Sequence, residues 1–510
     1  MKYIVTAAQA KEIDGFTIEK IGIPSMVLME RAALTVVEKM LASMKVSDKI
    51  LCVCGVGNNG GDGIAVARML YQKGYTVAIE LVGDRTKATK DNKKQVEIAK
   101  KIGVPFVNNL QAEEYNVIVD AIFGIGLSRN VTGIYEEVIA RINRHGGTVF
   151  AVDISSGLHS DTGQVMGCAV RADVTVTFGY AKQGQLFYPG AEYTGELVVS
   201  SIGFVNQLGQ NCSMFSYERT DLQQLMPKRQ PYSNKGTYGK VLVIGGCKNM
   251  AGACYLSAAA AYAMGAGLVK IITPEANREI MQTLLPEAVL HTYEEHVESD
   301  KQEEWVKDIS QAKAIVIGPG LGRDVCAKKL LDLVMEQGNV PIVLDADALQ
   351  MLAKDSKWIE PFGGESVKWK LRENMIVTPH LKEMIDLLGE NVSIEDLQTQ
   401  KINVRDICKE NSNVLVLKDA RTLVIQGEKC YINLSGNNGM ATAGAGDVLT
   451  GIILGLLAQQ VPPYIAASLG VYIHGLAGDV AARRCGTYSM TARDIVSAIS
   501  EALKACEGGE

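Results

Sequence analysis

The sequence contains no CxxC pair and no cluster of Cys and His at metal-ligand spacing, although eleven cysteines are scattered through its 510 residues. That pattern argues against a cysteine-held metal site and against a secreted disulfide framework; reduced, buried thiols are the expectation. No Lys/Arg run forms a basic patch, and a net charge of −6 argues against a nucleic-acid-binding surface. The "KDNKK" stretch (90–94) reads as a solvated helix face. No uninterrupted apolar run reaches membrane-spanning length, because "GIILGLLAQQVPP" is cut by Gln459 and Pro462. The opening "MKYIVTAAQAKEID" lacks the apolar core of a signal peptide. No G-x-x-x-x-G-K-[ST] is present, so a Walker-type NTPase is excluded. A soluble, cytoplasmic chain is expected, and its length calls for two domains.

What the sequence does hold is a strand–helix rhythm. Apolar residues at helical spacing (Ile18, Ile21, Val27, Leu28, Val36, Val37, Met40) predict one or two helices over roughly 7–45, broken at Gly22 and Pro24. Then "KILCVCG", "TVAIELVG", "NVIVDAIFG", "TVFAVDIS" and "DVTVTFG" read as short buried strands, the earlier ones each followed by a helix. Such runs predict a mostly parallel sheet wrapped by helices. Around 205–238 the rhythm gives way to polar turn formers, as at a boundary. A second series follows: "KVLVIGG", "VKIITP", "AIVIGPG", "PIVLDADAL", "MIVTPH", "VLVLK" and a hairpin in "TLVIQGEKCYINL". Helices are expected from about 446 and around 464–482. The fold class is therefore α/β in both halves, with domains expected over 1–215 and 225–510.

Ligands of open α/β sheets bind at the carboxyl ends of the strands. In the first half those ends carry "GVGNNGGDG", then Asp120 with "FGIGLSRN", then Asp153 with "ISSG". Gly55, Gly57 and Gly60 match G-x-G-x-x-G, and Glu80 lies at the spacing of a ribose-binding acid. The match leaves two readings open: a dehydrogenase with a nicotinamide cofactor, or a nucleotide loop serving another purpose. The crowding of turn formers in "NNGGDG" favours phosphate binding over a plain turn. Asp120 and Asp153 are candidate ligands of a hard cation with Asn59 and Ser156, and a monovalent ion suits that set as well as magnesium does. In the second half, Ala443–Gly446 form a small-residue turn that opens a helix, with Asp447 in its first turn. Bare amides there would stabilise a transferring phosphoryl group, and the carboxylate would accept a proton from a substrate hydroxyl. His380, after "VTP", is a candidate substrate contact; His474, in an apolar run, reads as a packed core residue.

"GVGNNGGDGIAVARML", "DAIFGIGLSR" and "AVDISSGLHSDTG" together resemble the NAD(P)H-hydrate epimerase domain, which is Rossmann-like with three α/β/α layers. "NKGTYGKVLVIGG", "AGACYLSAAAAYAMGAGLV", "GPGLG", "DADAL", "TPH" and "GMATAGAGDVLTG" resemble the ribokinase-like NAD(P)H-hydrate dehydratase domain. In this order, from about Ala7 to near the C-terminus, they are similar to the bifunctional NAD(P)H-hydrate repair family. The resemblance implies that the glycine loop holds a damaged nicotinamide nucleotide as substrate, and the reading of Glu80 as a ribose contact loses its support.

Residue by residue, the resemblance places Asn58, Asn59, Gly60, Gly61 and Asp62 with Gly124, Ile125, Gly126, Leu127, Ser128, Arg129 and Asn130 around the hydrate of the first domain. Asn59, Asp120 and Ser156 would hold K⁺, and Asp153 would contact the substrate as acid/base catalyst. In the second domain Ala253, Gly322, His380 and Asp447 would meet the hydrate, with Asp447 the catalytic base. Lys418, Asp419, Ala420, Arg421, Thr422 and Gly446 would contact the nucleotide, with ADP (or ATP) as phosphoryl donor together with Mg²⁺. The implied partners are the NADH and NADPH hydrates and ADP, with neither nucleic acid nor membrane, in a homo-oligomer. Four places depart from the family pattern: Leu381-Lys382, Asp419, Asn438 and Ser155. Asp419 brings a negative charge near a nucleotide phosphate, which is expected to retune nucleotide choice.

Overall fold

A computed structural model describes residues 1–108, 114–205, 212–294, 299–360, 368–389, 393, 397 and 404–504. Part of the expected boundary, 206–211, lies outside the described residues. The chain divides into two compact units, one of Lys2–Cys212 and one of Ser213–Glu510 joined by Met1.

The first unit opens with helices Ala7–Glu19 and Ser25–Leu41. Thr6 caps the first in a capping box with Gln9, and Pro24 sets the start of the second. The break at Gly22 to Pro24 takes its flanking residues away from the packed faces. Ile21 and Val27, expected in the apolar stripe, are 49% and 45% exposed. Seven parallel strands follow: β1 Lys49–Cys54, β2 Thr76–Leu81, β3 Phe106–Val107, β4 Val117–Ala121, β5 Thr148–Val152, β6 Val174–Phe178 and β7 Glu196–Ser200. Their order, β3-β2-β1-β4-β5-β6-β7, is the Rossmann order with one strand added. Alternate residues feed two cores. Ile50, Cys52 and Cys54 pack with helices Ser25–Leu41 and Asn58–Gln72, whereas Leu51 and Val53 pack with Ile134–Arg144. The chain leaves β1 for β2 on one side and reaches β4 on the other, which opens a crevice at their carboxyl ends. A short parallel pair, Lys2–Val5 with Ala181–Lys182, sets Val5 opposite Lys182.

The second unit is built on β8 Lys240–Ile244, β9 Leu268–Pro274, β10 Val289–Tyr293, β11 Ala314–Ile317, β12 Ile342–Leu344, β13 Met375–Val377 and β14 Val414–Leu417. These are parallel in the order β10-β9-β8-β11-β12-β13-β14. The expected hairpin follows as antiparallel β15 Leu423–Gln426 and β16 Lys429–Ile432. The polar stretch near the boundary is not uniformly irregular: Met214–Ser216 pairs parallel with β16, and Arg219–Leu225 is helical. Three residues are too few to show alternation in a sequence. Helices Ala251–Ala263 and Ala445–Ala458 lie close together because Gly451 faces Ser257 and Ala260 with no side chain between. Helix Pro463–Ser489 is, among the described residues, long and apolar enough to cross a membrane, but 72% of its apolar window is buried in this unit's core.

Candidate active sites

In the first unit the crevice is a cavity of about 630 Å³, lined by Asn58, Asn59, Asp62, residues 124–129, Asp153 and Lys182. That is within the usual range for small-molecule sites. Gly60, Gly61 and Asn130 do not line it. A Cβ on Gly60 would overlap the carbonyl oxygen of Gly55, and one on Gly61 would press on Met29. The glycine crowding of "NNGGDG" is therefore explained by a helix seated tightly on its loop, on the neighbouring helix and, at Gly63, on the strand residues Ala121 and Cys54, and not by ligand approach alone. Asn92 locks the loop from behind, its side-chain amide donating to Gly55 O and Gly57 O at 3.0 Å each. "KDNKK" is thus only partly a solvated face: its lysines are exposed, but Asn92 is 2% exposed. Glu80 does not face a ribose. It is 5% exposed and makes a two-pronged pair with Arg141 at 2.7 and 2.6 Å.

The three expected cation ligands gather around the backbone of Phe123 and the hydroxyl of Ser156. Asn59 Nδ2 donates to Phe123 O at 2.9 Å, and Ser156 Oγ donates to Asp120 Oδ1 at 2.6 Å while accepting from Phe123 N at 2.9 Å. Ser156 N donates to the other Asp120 oxygen at 2.8 Å. Asp120 is fully buried; burial pushes its carboxyl up to about 6, with the bonds from Ser156 pulling the other way. The set offers one carboxylate among neutral oxygens.

Asp153 follows β5 in a left-handed backbone conformation, φ 65°. Its Oδ1 receives Lys182 Nζ at 2.6 Å and Thr177 Oγ1 at 3.0 Å. Lys182 is 2% exposed and went unnoticed in the sequence. The available signal was a single charge inside the small-residue run "FGYAKQG". Asp62 lines the same cavity, and its carboxyl is pushed well up by burial and then by Asp153, Asp14 and Asp91.

In the second unit the strand ends gather a lysine and three carboxyls. Lys418 Nζ donates to Asp345 Oδ1 at 2.7 Å and lies 3.9 Å from Glu383. A Cβ on Gly446 would sit 3.4 Å from that same Nζ, so Lys418 reaches the first turn of helix Ala445–Ala458. Asp447, in that turn, is pushed up to about 7 by burial first and by Asp345 next, with Lys418 opposing and Glu383 adding. Lys418, Gly446 and Asp447 are thus brought together, along with Asp345, which opens the "DADAL" strand end, and Glu383, which sequence reasoning did not single out. Asp419–Thr422 turn between β14 and β15, where Thr422 Oγ1 donates to Asp419 O at 3.0 Å; Asp419 and Ala420 are exposed.

His380 caps helix Leu381–Leu388: Glu383 N donates to its Nδ1 at 3.1 Å, and His380 N donates to Glu383 Oε2 at 2.9 Å. Its side chain remains 52% exposed. Leu381 and Lys382 open that helix. Ala253 and Gly322 sit at the "GPGLG" loop, Ala253 against Gly320, and Gly322 N donating to Asp347 Oδ2 at 2.9 Å. Asp479 holds the other side of the glycine turn, accepting from Gly436 N at 3.0 Å and Asn437 Nδ2 at 3.1 Å. His474 is packed in the core helix, and burial pushes its imidazole down to about 4, so it is neutral.

Two α/β units, each gathering carboxyl groups and a lysine at the carboxyl ends of its strands, define a two-site enzyme. The family model "YjeF-related protein N-terminus" matches residues 25–184, and the model "NAD(P)H-hydrate dehydratase" matches 241–501. The bifunctional NAD(P)H-hydrate repair enzyme of Moorella thermoacetica is 36% identical over 99% of this chain and 97% of its own. The chain belongs to the bifunctional NAD(P)H-hydrate repair enzyme family. The NAD(P)H-hydrate epimerase of Oenococcus oeni is 49% identical over 39% of this chain and 96% of its own. A solved ADP/ATP-dependent NAD(P)H-hydrate dehydratase of Bacillus subtilis, co-crystallised with ATP/Mg²⁺, is 26% identical over 57% of this chain and 97% of its own, with a TM-score of 0.47.

Proposed function

We propose that the first unit interconverts the R and S hydrates of NADH and NADPH, and that the second dehydrates the S form at the expense of ADP, releasing AMP and phosphate. The observation that carries this reading is kinship with bifunctional repair enzymes over 99% of the chain, through both units in order. The chemistry fits. The C6 carbon of the hydrate bears a hydroxyl and the ring nitrogen, so its C–O bond opens with help from the nitrogen lone pair. Hydroxide is a poor leaving group, and phosphorylation makes it a good one; phosphate then leaves C6 with its electron pair, C5 gives up a proton to water, and the C5–H electrons restore the ring double bond. Asp447 would take the hydroxyl proton, and the amides opening its helix with Lys418 would stabilise the phosphoryl charge.

A potassium ion would be held by Asn59, Asp120 and Ser156, supplying countercharge to a buried carboxylate that has only hydrogen-bond donors around it. Among the described residues no three Asp, Glu, His or Cys side chains form a metal-holding group. That fits a Mg²⁺ carried on the nucleotide phosphates. Ten described cysteines are free, as suits a reducing cytoplasm.

The test is recovery of NADH absorbance from a mixture of both hydrate epimers, with Mg²⁺ and ADP, ATP or no nucleotide. Complete recovery with ADP is expected. Recovery that stalls after one epimer removes the epimerase half, and a stable phosphorylated product without phosphate release points to a kinase instead.

A further inference from the structure

The cavity of the first unit holds two carboxyls in opposite circumstances. Asp153 is paired with a fixed ammonium group whose remaining protons are also spent on protein oxygens. Lys182 Nζ contacts Asp153 at 2.6 Å, Thr177 Oγ1 at 2.7 Å and Phe178 O at 3.2 Å, which uses its three protons. Three backbone devices hold that pair in place. The parallel strand pair puts Val5 beside Lys182, Gln185 Nε2 donates to Asp153 O at 2.6 Å, and the left-handed backbone at Asp153 turns its side chain back on the sheet end. A non-glycine residue in that conformation is strained and persists only where its surroundings hold it. The Asp62 side chain, by contrast, makes no hydrogen bond or ion pair among the described residues, although it faces the same space.

We propose that Lys182 is a positioning residue that fixes Asp153 as the base of the first site, and that Asp62, left without a cation, is its acid. This rests on the epimerase reading. In one direction the Asp62 carboxyl gives its proton to the C6 hydroxyl oxygen. The C6–O bond breaks with its electron pair leaving on water, while the ring nitrogen lone pair forms C6=N. A water then adds to C6 from the other face, the C6=N pair returns to nitrogen, and Asp153 takes the proton that water loses. One proton shared between the two carboxyls serves both directions, since the reverse reaction begins with it on Asp153. The other charged groups facing the pair are Lys11 and Asp14 from the first helix, Asp91 from helix Lys90–Ile102 and Arg129 from the 124–130 loop. Burial first, and then the three neighbouring aspartates, favour the proton-bearing form of Asp62, whose carboxyl is pushed well above the usual range.

The experiment follows interconversion of separated R and S NADH hydrates by the full chain, without nucleotide, across pH. The wild type should give a bell-shaped profile. Lys182→Met should move the low-pH limb upward by about 1–3 pH units, because Asp153 has lost an adjacent cation. Lys182→Arg should return that limb toward its original position. Asp62→Asn should slow the reaction by about 10²-fold or more and erase the high-pH limb. A slower Lys182→Met with an unmoved low-pH limb, or an Asp62→Asn of near-normal rate, overturns the proposal. Should Lys182→Met not fold, Asp62→Asn decides alone. A wild type without interconversion defeats the epimerase reading itself, a different failure from either variant result.

Discussion

Asp447 and Asp120 are both carboxyls withdrawn from water, yet their neighbours give them different work. Asp447 shares its surroundings with Asp345 and Glu383 against one lysine, and stands at about 7. A base near neutrality is matched to accepting a hydroxyl proton. The dehydratase rate should therefore fall as pH drops through about 7, where the proton fills the base. Asp447→Asn should lower that rate by about 10²–10⁴-fold, read as NADH absorbance recovered from the S hydrate. Stability should run the other way. A carboxyl raised on folding contributes stability at low pH that is lost as pH rises through about 7. Asp447→Asn should thus gain thermal midpoint over the wild type more at alkaline than at acid pH. The position of Asp447 was legible, because a carboxylate after "GAG" at a helix start is a local pattern. Its environment was not, since Asp345 and Glu383 come from other strand ends.

At the scale of elements, the strands were legible because strands buried on both faces become short, continuous apolar runs. The edge strand β10, Val289–Tyr293, and Met214–Ser216 escaped notice: one is half-exposed with His and Thr in it, the other only three residues long. Helix Lys90–Ile102 shows what local polarity conceals. Its Asn92 sits among lysines, yet tertiary packing turns it inward to bind two carbonyls of the glycine loop. Asn92→Ala strands the buried carbonyl oxygen of Gly55, while Gly57 O keeps Gly61 N at 3.1 Å, and should cost about 1–3 kcal/mol. Because those carbonyls shape the loop beside Asn58 and Asn59, the variant should also raise the epimerase KM. Thermal unfolding and steady-state epimerisation check the two effects. A lowered midpoint with unchanged KM would make Asn92 a structural residue only.

At the scale of the whole molecule, each unit has its own core, and the residues named above for each site come from one unit. Asp153→Asn should abolish interconversion while sparing dehydration of the S hydrate, and Asp447→Asn should do the reverse. The double variant should combine the two losses without interaction, as expected of sites that share no partners. Parallel epimerase and dehydratase assays on all three chains test this, and a large interaction would show that the activities are coupled. The α/β class, the run of strands and the motif residues were written in local sequence, because burial on two faces and bare backbone at a helix start both leave short-range signatures. Tertiary structure alone decided which carboxyl is paired with a lysine and which is left bare. It also decided that Glu80 meets Arg141 and that Asn92 faces inward. The physical reason is that an ion pair or a buried hydrogen bond is set by groups distant along the chain, whose meeting no local pattern records.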